Sequence, residues 1–75
     1  MATGFWQLSL KGERPLGALE SDVGKCGGTL LRVDSRDGST EVYFSADESD
    51  TGRIPDVFGG VKPTQVQLAE ITRDL

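Results

Sequence analysis

The sequence predicts a small single α+β domain: a three-stranded, mainly antiparallel sheet in the order β-α-β-β-α, with helices covering one face. Three observations carry that prediction. Residues 4–11 alternate, with Trp6, Leu8 and Leu10 on one side and Phe5, Gln7 and Ser9 on the other. Two more alternating segments flank the dipeptide Asp37-Gly38. Helical spacing recurs at Leu16, Leu19 and Val23 and again at Leu68, Ile71 and Leu75.

The period-two run at residues 4–11 is a half-buried strand, because successive side chains of a strand point to opposite faces. Pro15 is placed to start a short helix and Gly24 to end it, although Gly17 weakens that helix by about 1 kcal/mol. Residues 24–28, Gly-Lys-Cys-Gly-Gly, read as a turn. They lack the Gly-x-x-x-x-Gly-Lys-Ser/Thr spacing of a phosphate-binding loop.

Asp-Gly between alternating runs favours a two-residue hairpin turn, in which both central residues need positive φ. With Asp37 and Gly38 at those positions, Arg36 faces Ser39, Val33 faces Val42, Leu31 faces Phe44 and Thr29 faces Ala46. Leu31, Val33, Val42, Phe44 and Ala46 then share one face, and Arg32, Asp34, Glu41 and Tyr43 the other. The register sets Asp34 opposite Glu41, a like-charge pair that Arg32 or Arg36 can offset. Residues 47–62 form the longest irregular stretch. After Pro63, Thr64 and Gln67 have capping-box spacing before a final helix with its stripe at Leu68, Ile71 and Leu75. Val66-Gln67-Leu68 also alternates like a strand. If that element is a strand, the alternative is a small, barrel-like all-β domain.

Seventy-five residues make one domain that buries only about 60% of its unfolded surface, too little for a scaffold around a deep enclosed site. The N-terminus has neither a basic patch nor a long apolar run, so no signal peptide or membrane span is expected. The single cysteine, Cys26, has no partner for an internal disulfide, which favours a reducing cytoplasm. With no histidine, Ser-His-Asp and Cys-His nucleophile pairs and mixed Cys/His zinc sites are excluded. No cofactor or metal is expected. Residues 47–52 partly match the start of a calcium-binding loop, but the twelfth position is Phe58 where a bidentate glutamate belongs.

Net charge −4 conceals an asymmetry. Residues 1–33 carry four basic and three acidic side chains, residues 34–56 two basic and seven acidic, and residues 57–75 two of each. The acidic run is either a solvated face that keeps the domain soluble or a docking surface for a basic protein. Direct nucleic-acid binding would need a cluster of Lys and Arg that the chain lacks. Next to the acids lies Ile54-Pro55-Asp56-Val57-Phe58. Its apolar residues either finish the core, the favoured reading in so small a domain, or form an exposed patch.

The functional expectation is a non-enzymatic protein-interaction module, a small acidic cytoplasmic regulator or inhibitor. Asp47, Glu48 and Asp50 are the steering charges, and Val57 and Phe58 the anchors. One version is nucleic-acid mimicry, a strategy used by small phage-encoded inhibitors such as anti-CRISPR proteins. The alternative is an assembly subunit that pairs exposed sheet edges, so the chain is expected to be a monomer or a homodimer.

Overall fold

The hairpin turn forms as its dipeptide dictates. In the computed structural model, which describes residues 2–73, Asp37 and Gly38 have φ of 43° and 78°, as a type I′ turn requires. Along the chain the elements are β1 (Thr3–Lys11), α1 (Leu16–Lys25), β2 (Thr29–Arg36) and β3 (Ser39–Asp47). A 3-10 helix at Glu48–Arg53, α2 (Ile54–Val57), β4 (Thr64–Val66) and α3 (Leu68–Thr72) follow.

The described residues form an open antiparallel sheet of four strands in the order β2-β3-β1-β4, where the sequence led us to expect three. It does not close into a barrel. The additional strand comes from the segment whose period was ambiguous. Residues 64–66 pair with the free edge of β1, Phe5 opposite Val66 and Gln7 opposite Thr64. The final helix therefore starts one turn later than expected. Its capping box is Gln67 with Glu70, and the Gln67 amide donates to Glu70 Oε2 at 3.3 Å. Of the expected stripe, Ile71 is buried and Leu68 exposed; Leu75 lies outside the described residues.

One face of the sheet carries the core. Leu8 and Leu10 of β1 and Val42, Phe44 and Ala46 of β3 pack with Leu19 and Val23 of α1, and with Cys26, Ile54 and Phe58. Thr40 is the buried polar residue of this face, and its hydroxyl donates to the Gly12 carbonyl at 2.7 Å. The Trp6 indole donates to the Ala46 carbonyl at 3.2 Å. Helices do not all lie on that side. Arg32, on the opposite face, donates from Nη1 to the carbonyls of Ile71, at 2.9 Å, and Arg73. These bonds hold the end of α3 over the second face, where the sequence pattern had placed no helix.

The hairpin register holds from Arg36 opposite Ser39 to Arg32 opposite Tyr43 and then slips by one. Leu30, not Leu31, stands opposite Phe44, and Thr29 opposite Ser45 instead of Ala46. Leu31 is a bulge residue and remains 44% exposed, so its expected place on the core face goes to Leu30. The cause lies at the other end of β2. The end of α1 closes in a Schellman motif: Gly27 N–H donates to Gly24 O at 3.0 Å and Gly28 N–H to Val23 O at 3.0 Å, with Gly27 at φ 77°. A Cβ on Gly28 would stand 2.9 Å from the Ser45 carbonyl and 3.1 Å from Val23 Cγ1. That contact and the I′ turn pin β2 independently, one residue out of step, and the bulge absorbs the difference.

As for the like charges, Arg32 Nε bonds Asp34 Oδ1 at 3.1 Å, which offsets the Asp34–Glu41 pairing.

The slip makes adjacent leucines unequal. Leu30→Ala is expected to cost about 1–2 kcal/mol and Leu31→Ala less than about 0.5 kcal/mol in thermal or urea unfolding. Equal losses, or the reverse order, would restore the unbroken register.

Candidate functional site

The acidic end of the molecule is built where β3 stops. Asp47 leaves the strand with extended backbone, and its Oδ1 accepts from the Ser49 amide and the Ser49 hydroxyl, both at 3.1 Å. It is thus the N-cap of the 3-10 helix. The Glu48 amide donates to the Ala2 carbonyl at 3.1 Å, tying the turn to the start of β1. Glu48 is exposed and Asp50 half-buried.

What holds this segment is apolar. Ile54 is fully buried and Phe58 is 4% exposed, both in the core cluster, and Val57 packs against it half-buried. The Phe58 amide closes the short α2 on the Ile54 carbonyl at 2.9 Å. Of the two sequence readings of residues 54–58, the structure takes the one that completes the core. Phe58 presents no ring to solvent, and Val57 presents only part of its side chain.

The structure adds one acid that sequence proximity did not indicate. Asp50 lies against the turn after α1, where a Cβ on Gly27 would meet its Oδ2 at 3.0 Å. Asp22 of α1 lies close to the same turn and pairs with Lys25 at 3.7 Å. Both carboxylates act on the buried Cys26 thiol. Burial first, then Asp22, then Asp50 push its pKa above the ordinary 9.0, against a lowering by Arg53. No signal in the sequence joined Asp22 to residues 47–50, because the link is the fold of the helix end.

The structure also divides the acidic run. Asp34, Asp37 and Glu41 sit near the hairpin turn, while Asp47, Glu48 and Asp50 lie beyond the far end of β3. Nine residues of strand separate these ends by about 27 Å. They are two acidic surfaces, and the second is the larger when Asp22 is counted. Among the described residues, no three Asp, Glu, Cys or His side chains gather into a potential metal-binding set. Within residues 47–52 the Asp47 carboxylate is engaged by the Ser49 amide and hydroxyl as the cap of the 3-10 helix. No helix of the described residues is long and apolar enough to cross a membrane.

A second surface lies along an edge of the sheet. β2 is an outer strand, and a shallow groove of about 350 Å³ runs between it and α1, lined by Leu16, Glu20, Leu30, Leu31, Arg32 and Val33. Leu16 is 57% exposed, so with Leu31 this groove presents two exposed leucines. β4, the other outer strand, is only three residues long and follows Pro63, which limits it as an edge.

Comparison with protein-family models, curated proteins and solved structures gives no match. The two surfaces therefore rest on their own geometry.

Cys26 and Tyr43 both lower the stability of the fold at alkaline pH. Burial, then Glu41, pushes the Tyr43 hydroxyl above its ordinary 10.0. Each group is neutral when protonated, and the folded state holds its proton more tightly than the unfolded chain does. Their contribution to stability is therefore complete below the ordinary thiol pKa and is lost as pH rises through the raised values. Melting temperature should fall as pH rises above about 9, with native Cys26 resisting alkylation at the start of that range. Rapid alkylation of the folded protein, or melting that ignores pH, would contradict this placement.

Proposed function

We propose that the chain is a non-enzymatic interaction module whose acidic end, Asp47, Glu48 and Asp50 with Asp22 beside them, meets a basic surface on a partner protein. The observation that carries this reading is the burial of Ile54 and Phe58 in the segment that follows the acids. It presents the charges from a segment anchored in the core, so little ordering entropy is lost on binding. Phe58 serves by fixing the segment from within, and Val57 offers the partly exposed apolar contact. A cytoplasmic regulator or inhibitor fits this description, and the lone buried thiol suits a reducing compartment. In the mimicry version, the occupied groove on the partner would be one that otherwise holds a phosphate backbone. Separation of the two acidic ends limits that face to the Asp47 side.

The second reading, an assembly subunit, is favoured by one observation, the open β2 edge beside exposed Leu16 and Leu31.

Steering by these acids predicts salt-sensitive binding. Partners recovered from a lysate at low salt should dissociate at high salt; exposed Glu48→Lys should weaken recovery while the melting temperature is kept, and Asp50→Lys added to it should abolish recovery. Asp47→Lys added to that pair should deepen the loss and also destabilise by about 1 kcal/mol, since it removes an N-cap. Undiminished affinity in the reversed variants would sink the acidic-end reading.

A further inference from the structure

The β2 edge has a hydrogen-bonding phase and a charge order that together select one occupant. In a two-residue hairpin the residues flanking the turn, here Arg36 and Ser39, form a hydrogen-bonded pair, and such pairs alternate along the ladder. Arg32, Asp34 and Arg36 therefore turn their amides and carbonyls toward β3. Val33 and Ser35 turn theirs outward, to an edge that no other strand of the described residues covers.

We infer that this edge pairs with β2 of a second copy of the chain, antiparallel, about a two-fold axis through Val33. The inference rests on the assembly reading and specifies its interface. In this register Val33 meets the partner's Val33 as a hydrogen-bonded pair, and Leu31 falls opposite the partner's Ser35. Arg32 falls opposite the partner's Asp34, on the face where Arg32 and Asp34 already lie within 3.1 Å of each other. The axis repeats that pair, so two cross-strand charge complements form at once. Sliding by two residues in either direction destroys this. One slide sets Asp34 against the partner's Asp34, and the other sets Arg32 against the partner's Arg32.

Three further features agree with a second copy. β2 carries Arg32 and Arg36 against Asp34 alone, so this strand is net positive in a chain of net charge −4. The copies meet where they repel least. The groove lined by Leu16, Leu30 and Leu31 follows the same edge, so the two-fold axis places an exposed apolar strip beside the seam at each of its ends. β2 carries two of the devices that protect natural edges, the bulge at Leu31 and its charged side chains; the bulge leaves the stretch from Arg32 to Arg36 regular and the charges are complementary about the axis, whereas β4 is protected by its shortness.

Molar mass measured by sedimentation equilibrium up to submillimolar concentration tests this, with two variants alongside. Val33→Pro removes an outward amide and leaves every ladder bond to β3. Asp34→Arg sets arginine against the partner's Arg32; within the chain it loses the bond to Arg32 and gains a charge pairing with Glu41, so its melting temperature is measured alongside. The native chain is expected at twice its 8.0 kDa mass, and each variant should raise the dimer dissociation constant at least tenfold. If Val33→Pro does not fold, Asp34→Arg decides alone. A native chain that stays monomeric overturns both the inference and the assembly reading, leaving the edge to solvent or to a strand of another protein. A dimer that Asp34→Arg leaves unchanged overturns this interface while the assembly reading survives through another surface.

Discussion

The structure depends on the closing of one apolar sheet face. Leu8, Leu10, Val42, Phe44 and Ala46 supply that face, but α1 covers only part of it with Leu19 and Val23. Ile54 and Phe58 complete the cover, from a segment with a single four-residue α-helix. In a domain this small the margin between burial and chain entropy is thin, so a segment rich in Gly and Asp is recruited into the core. The positions of the acids follow from that recruitment. Asp47 caps the turn that starts the descent toward Ile54, and Asp50 comes to rest against the Gly27 turn.

A second constraint shapes the edge. β2 is pinned at one end by the I′ turn and at the other by the glycine contacts after α1, and the two do not agree in register. The bulge at Leu31 reconciles them and leaves a leucine in solvent. The leucine that would have been core became part of a surface, because two local structures each had a stronger geometric demand than one side chain.

This division explains what the sequence made legible. Local rules worked where local chemistry decides: the Asp37-Gly38 turn, the faces of residues 4–11, the start of α1 after Pro15. They failed where a distant group decides. The bulge needs the Ser45 carbonyl beside Gly28, and β4 needs the free edge of β1. The capping box moved from Thr64–Gln67 to Gln67–Glu70 because pairing claimed residues 64–66 first. The placement of α3 on the second face rests on Arg32, a residue whose reach to the Ile71 and Arg73 carbonyls no periodicity contains. For the candidate site, composition marked Asp47, Glu48 and Asp50, yet it joined them to Asp34, Asp37 and Glu41, which β3 holds at the far end. It also left out Asp22, brought near only by the helix end.

Burial of Ile54 and Phe58 links the core to the acidic surface, and amide hydrogen exchange followed residue by residue tests it most directly. The Phe58 amide, bonded to the Ile54 carbonyl at 2.9 Å, should exchange as slowly as the amides of Leu8 and Phe44, through global unfolding. Exchange of Phe58 orders of magnitude faster than the central strands would make this segment a detachable loop. The acids would then have no fixed position, and the core would close without it.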